Sequence, residues 1–231
     1  MIHAKQLRSF TEQIFQAIGC SESDAKLAAD VLISADLRGV DSHGVARLAG
    51  YVRLYDNGRL NPTPAIRVVH QTPSTAVVDG DRGLGLVVGP WAMQLAIEKA
   101  RVAGTGWVAV RNSNHFGIAG YHALLAAEHD MIGQAMTHAA PLVAPTFSLD
   151  KLLGTNPIAV AIPAQTEPTF VADFASTAVA YGKLEILQRE GQAIPTGWAQ
   201  DTAGNPTTDA NAVKNGGALL PLGSDREHGS H

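Results

Sequence analysis

One cysteine, Cys20, stands among the 231 residues. A lone thiol excludes an intrachain disulfide and a cysteine-rich metal centre. It falls at a joint between two helical patterns, where it reads as a small apolar filler. A cytoplasmic location is the expectation that goes with it. Charge is scarce as well: 16% of the residues are Asp, Glu, Lys or Arg, and the net charge is −4. No Lys/Arg-rich run occurs, so an electrostatic grip on nucleic acid or anionic lipid is not expected. No apolar run reaches membrane-spanning length, and the opening MIHAKQLRSF lacks the apolar stretch of a secretory signal. The nine histidines show no metal-ligand spacing. His228 and His231 are three apart but have no partner cluster. What is abundant is apolar: 45% of the residues are hydrophobic, enough for a substantial core.

Periodicity divides the chain. Leu7, Phe10, Ile14, Phe15 and Ile18 recur at helical spacing over residues 4–18, with Gly19 as the stop. Ser21 begins a second helix running to about Leu37, with Asp24 three residues on as a weak capping box. Residues 38–42 form a turn, and a third helix is expected from His43 to just before Gly58. The stiff segment Asn61-Pro-Thr-Pro64 marks a boundary between an N-terminal helical lobe, residues 1–60, and an α/β region, residues 61–231. Short strands are expected at 66–69 and 75–79 as antiparallel neighbours, and at 107–110, 132–137, 158–162 and 169–172. Helices are expected at 91–102, 119–129 and 178–189. From Gly191 onward the composition is that of loop with short strands.

Five segments are candidates for chemistry. In Asp41-Ser-His-Gly44, Ser42 suits a helix N-cap. At 100° per residue, His43, Arg47 and Tyr51 share one side of the helix that follows, opposite Val45, Leu48, Ala49, Val52 and Tyr55. An imidazole, a guanidinium fork and a phenol in one stripe can hold a small carboxylate and serve the neighbouring oxygen. The helix N-terminus would disfavour imidazolium and keep His43 available near neutral pH. An ordinary solvated face has the same pattern. Asp41, Ser42 and His43 are also the residue types of a hydrolytic triad, but three adjacent residues rarely supply its relay geometry. Gly83-Leu-Gly85-Leu-Val-Val-Gly89 imitates a dinucleotide fingerprint. Its third glycine is one place late and no regular βαβ alternation surrounds it, so it reads as a closely packed turn. Asn112-Ser-Asn-His-Phe-Gly117 joins a strand to a helix, where amides can face phosphate or a polar substrate. His115 there is a second acid/base, a cofactor contact or a structural loop residue. Gly154-Thr-Asn-Pro157 and Asp173-Phe-Ala-Ser176 are, taken alone, turn chemistry.

Taken in order, six segments resemble the malate/L-lactate dehydrogenase family of the non-Rossmann type: DLRGVDSHGVARL from Asp36, RNSNHFGIAGY from Arg111, LLGTNPIAVAIPA from Leu152, FVADFASTAVAYGKLE from Phe170, GWAQDTAGNPTTD from Gly197 and GGALLPLG from Gly216. The resemblance implies an α/β fold with a largely antiparallel mixed sheet and flanking helices, and not a doubly wound one. It implies an oxidoreductase that moves a hydride between NAD or NADP and a small 2-hydroxy or 2-oxo acid, working as a homodimer. Residue by residue, His43 with Ser42 looks like the proton donor/acceptor pair. Arg47 and Tyr51 look like substrate anchors. His115 resembles the second active-site histidine, with Phe116 and Gly117 lining the cofactor. Asp173, Phe174 and Ala175 resemble a stretch that contacts the nicotinamide cofactor. Lys183 takes a place where the family's imino-acid reductases carry an aspartate, which implies the hydroxy-acid branch and a substrate contact. Family members continue past the LLPLG element, so this chain, ending at Gly229-Ser-His231, is expected to be C-terminally truncated. An inactive remnant of such an enzyme is the competing expectation.

Overall fold

The computed structural model of the chain describes residues 3–223; the terminal Gly229-Ser-His231 and the His228/His231 pair lie outside them. Helix α1 (Ala4–Ala17) turns its Phe15 inward, together with Ile18 just beyond it, and leaves Phe10 open. Helix α2 (Glu22–Leu37) starts where expected, with the Ser21 hydroxyl accepting the Asp24 N–H at 3.1 Å. That bond satisfies one of the amides every helix start leaves bare. Cys20 is buried between them, and burial, then the Asp24 charge, pushes its thiol up to about 11. It is inert filler, as its position suggested.

The third helix departs from expectation. Residues Asp41–His43 and Val45–Arg47 form two short 3-10 turns, and helix α3 runs only over Leu48–Asp56. Gly44 separates the turns with ψ −149°, a break no helical period would announce. Ser42 therefore caps no α-helix. Tyr51 does not face away from the apolar side either. It is 2% exposed and packs in one core with Phe15, Ala28, Leu32, Leu48, Leu84 and Leu86.

Strand β1 (Arg67–Gln71) pairs antiparallel with β2 (Thr75–Gly83), and β2 pairs parallel with β3 (Trp107–Ser113). Between β2 and β3, helix α4 (Gly85–Ala103) makes the crossover a parallel pair requires. It begins six residues earlier than the sequence suggested, because Pro90, a natural helix opener, lies inside it. Asp79 ties the three strands together, accepting from Arg67, Arg111 and Asn112. Helix α5 (Ala119–Ala127) follows. Strands β4 (Gly133–Met136), β5 (Ile158–Ile162) and β6 (Phe170–Phe174) form a second sheet in that order. Helix α6 (Tyr181–Arg189) precedes three two-residue strands, β7 (Ala199–Gln200), β8 (Pro206–Thr207) and β9 (Ala218–Leu219). These pair antiparallel in the order β8-β7-β9. The class is mixed α/β with small, largely antiparallel sheets and flanking helices.

The chain divides into two compact units, residues 1–135 with 160–171, and residues 136–159 with 172–231. The connector Asn61–Pro64 runs inside the first unit, since α1 and α2 share their core with Leu84, Leu86 and Val87. The second unit has its own core of Val143, Val179, Leu184, Ile194, Ala199, Val213 and Leu219. In the first unit, Phe10, Ile14, Val45, Leu48, Ala49, Val52 and Arg53 line an open apolar groove of about 510 Å³. Among the described residues no helix is long and apolar enough to cross a membrane.

Candidate active site

The turn that carries Ser42 and His43 is held from below by Asp36, in the last turn of α2. Its carboxylate accepts the Val45 N–H at 3.0 Å. Gly44 allows this approach, because a Cβ there would lie 1.8 Å from the Asp36 carboxylate. An aspartate at a helix C-terminus opposes the helix dipole, so Asp36 needs such a partner. That misplacement was a signal in the sequence, and it was missed.

On this turn the Ser42 hydroxyl hydrogen-bonds with His43 Nδ1 at 2.9 Å. The bond orients the imidazole and leaves Nε2 as its working edge. Arg47 Nε donates to the Ser42 carbonyl at 2.6 Å, fixing the guanidinium one turn along. Burial, then the Arg47 charge, pushes the His43 pKa down to about 4. The ring is kept neutral by desolvation and not by a helix dipole, since no α-helix starts there.

From the other side come the end of β3 and the loop after it. Asn112 donates to Asp79 at 3.0 Å, and Asn114 donates to the carbonyls of Arg82 and Gly83 at 2.7 and 3.1 Å. These amides hold the loop in place and are not presented to a ligand. His122 on α5, 2% exposed, donates from Nε2 to the Phe116 carbonyl at 2.8 Å and stacks on the Phe116 ring. Sequence reasoning missed His122, which shows no spacing that separates it from an ordinary core residue. Gly117 has φ +80°, and a Cβ there would reach within 2.8 Å of Val31; only glycine suits both demands.

The loop delivers His115 to the cluster. Its ring stacks on His43 with centroids 5.6 Å apart, and its Nδ1 lies 2.7 Å from the Tyr51 hydroxyl. Protein crowded around the ring, then the charges of His43, Arg47 and His122, pushes its pKa down to about 4. The side chain keeps substantial solvent exposure, and the hydrogen bonds to Nδ1 favour its neutral state.

Ser42, His43, Arg47, Tyr51 and His115 thus come together within the first unit, with Phe116 and Gly117 beside them. The second unit carries Asp173 and Phe174 at the end of β6, both exposed, then Ala175, and an exposed Lys183 on α6. Gly83-Leu-Gly85 is a closely packed turn, as read. The space a Cβ on Gly85 would need is filled by the carbonyls of Asn114 and His115, 2.2 and 2.6 Å away. A pyrophosphate cradle needs that space, and carbonyls would repel its charge. Among the described residues no group of three or more His, Cys, Asp or Glu is placed to hold a metal ion.

Two neutral imidazoles beside a guanidinium suit proton movement at an oxygen next to a carboxylate, in a fold without the dinucleotide-binding turn of doubly wound enzymes. The description malate/L-lactate dehydrogenase belongs to the family whose model matches residues 2–230, and the chain is a member of that family. It is 54% identical over 218 residues to a malate dehydrogenase of Pyrococcus horikoshii, covering 94% of this chain and 60% of that protein. It is 46% identical over 217 residues to an L-sulfolactate dehydrogenase of Methanocaldococcus jannaschii, covering 94% and 62%. The crystal structure of a malate dehydrogenase from Entamoeba histolytica superposes with a TM-score of 0.94 at 39% identity, covering 100% of this chain and 66% of that one. The chain spans about 60% of the length of the curated relatives it matches.

Proposed function

We propose that the protein carrying this sequence is a nicotinamide-dependent oxidoreductase of small 2-hydroxy and 2-oxo acids, and that this chain supplies its proton-handling cluster. One observation carries the reading: His43, oriented by Ser42, faces His115 beside Arg47. Arg47 grips the substrate carboxylate. His43 takes the hydroxyl proton during oxidation and returns it to the alkoxide during reduction. NAD or NADP, when bound, supplies or accepts the hydride.

For the cofactor, His115, Phe116 and Gly117 are the proposed contacts in the first unit, and Asp173, Phe174 and Ala175 in the second. The half-exposed Phe174 ring offers a flat apolar face of the kind a nicotinamide stacks on. Lys183, exposed on α6, is the proposed further substrate contact. Lysine at this place favours hydroxy acids over cyclic imines.

A homodimer in the cytoplasm is part of the same proposal. The open apolar groove beside Phe10 and Val52 favours a second copy, since such patches are seldom left bare. Light scattering tests that part. The activity is tested by following reduced-nicotinamide absorbance with a panel of 2-oxo acids and with NADH or NADPH. Turnover of at least one acid is expected. No turnover with any acid and either cofactor would contradict the proposal and favour the inactive remnant.

A further inference from the structure

His115 makes two contacts through one atom. The Gly117 backbone N–H points at its Nδ1 from 3.3 Å, and the Tyr51 hydroxyl lies 2.7 Å from the same nitrogen. The amide decides the protonation, because it has no lone pair and can only donate. A nitrogen that faces an N–H must offer a lone pair, so Nδ1 is bare and the proton of the neutral ring sits on Nε2. Tyr51 then donates to Nδ1 as well. The opposite arrangement would need Tyr51 to donate to the His115 carbonyl instead, 3.5 Å away, and would set Nδ1–H against the Gly117 N–H. The first distance is at the limit of a hydrogen bond and the second contact is repulsive.

We propose that Tyr51 is a positioning residue that, with the Gly117 amide, locks His115 as a neutral Nε2–H donor aimed at the substrate's reacting oxygen. This rests on the oxidoreductase reading above, and it divides the work between the two histidines: His43 carries the proton, and His115 polarises without titrating. The surroundings favour the lock. The ring is faced by His43 from the turn after α2, by Arg47 and Tyr51 from the next turn and α3, and by His122 from α5. The charge of Arg47, and those His43 and His122 would gain, are positive and oppose an imidazolium at His115; Tyr51 stays neutral. Burial holds the Tyr51 phenol protonated by raising its pKa. The family resemblance gives Tyr51 as a substrate anchor; in the structure its hydroxyl lies 2.7 Å from His115 Nδ1.

The test is a long-range ¹H–¹⁵N spectrum of the ¹⁵N-histidine-labelled protein, with the His115 signals assigned by their loss in His115→Gln. Each neutral tautomer gives a distinct pattern. The expected result is Nε2–H with a bare Nδ1, unchanged as pH falls from about 8 to about 5, the range in which an ordinary histidine titrates. In Tyr51→Phe the Gly117 amide, 3.3 Å away, is left to hold the ring alone, so the Nδ1–H form should join the Nε2–H form as a second population and kcat for 2-oxo acid reduction should fall on the order of tenfold, with KM little changed. An Nδ1–H pattern in the unsubstituted protein overturns the lock whatever the activity. So does a Tyr51→Phe variant with unchanged pattern and kcat. An Nε2–H pattern in a protein without nicotinamide-linked turnover supports the lock and overturns only the oxidoreductase reading.

Discussion

The imidazoles of His43 and His115 lie nearly parallel, 21° apart, with centroids separated by 5.6 Å. Burial disfavours a charge on either ring, the adjacent Arg47 opposes both, and the His43 charge opposes one on His115. Two neutral imidazoles at physiological pH follow, one able to move a proton and one able to donate a hydrogen bond.

Acid should destabilise the fold through its buried histidines. His122 is 2% exposed, and burial pushes its pKa from 6.5 down to about 4. The unfolded chain binds this proton near pH 6.5 and the folded chain does not, so stability is full above about 6.5 and falls as pH drops toward about 4. One such group is worth on the order of 3 kcal/mol over that window, and His43 adds to it with the same sign. Melting temperature measured from about pH 7 to about pH 4.5 should fall, and His122→Gln, which keeps the donor to Phe116, should flatten the slope. A pH-independent melt would contradict this.

Two helical glycines should respond oppositely to alanine. A Cβ on Gly89 would lie 2.6 Å from the ring of the fully buried His122, which has no room to yield. Gly89→Ala should cost about 1–3 kcal/mol. Gly50, in α3, meets nothing closer than Arg53 at 3.9 Å. Gly50→Ala should gain up to about 1 kcal/mol from helix propensity. Denaturant midpoints of the two variants check both signs.

Arg47→Lys should raise KM for 2-oxo acids about tenfold to a hundredfold, the worth of a charge-assisted hydrogen bond. Lysine retains the charge but loses the fork and the Nε bond to the Ser42 carbonyl that aims it. Steady-state kinetics across several acids measures this, and an unchanged KM for all of them removes Arg47 from the substrate site.

Much of this was legible in the sequence, for reasons particular to each element. The α2 start at Ser21 was readable because its cap is a local contact. The β1–β2 pairing was readable because a short turn leaves antiparallel strands little choice. The start of α4 was not, because Pro90 resembles a beginning. The helix expected at His43 was not, because the break at Gly44 is set by Asp36, eight residues back and on another helix. The stripe of His43, Arg47 and Tyr51 picked out residues that do meet at one site. Its geometry was wrong: the backbone there is 3-10, and Tyr51 reaches the cluster from the core side through His115. His122 was illegible, since its role depends on a carbonyl six residues earlier that only the folded loop brings to its ring.

The central claim is that His43 moves the proton. His43→Asn keeps the approximate size and the hydrogen-bonding capacity toward Ser42 while removing the titration. The measurement is the pH dependence of kcat for reduction of an accepted 2-oxo acid by reduced nicotinamide, in His43→Asn beside His115→Asn. The account predicts a loss on the order of 10²–10⁴-fold in His43→Asn with the pH dependence flattened, and a smaller loss with the profile retained in His115→Asn. A flattened profile in His115→Asn alone would contradict it.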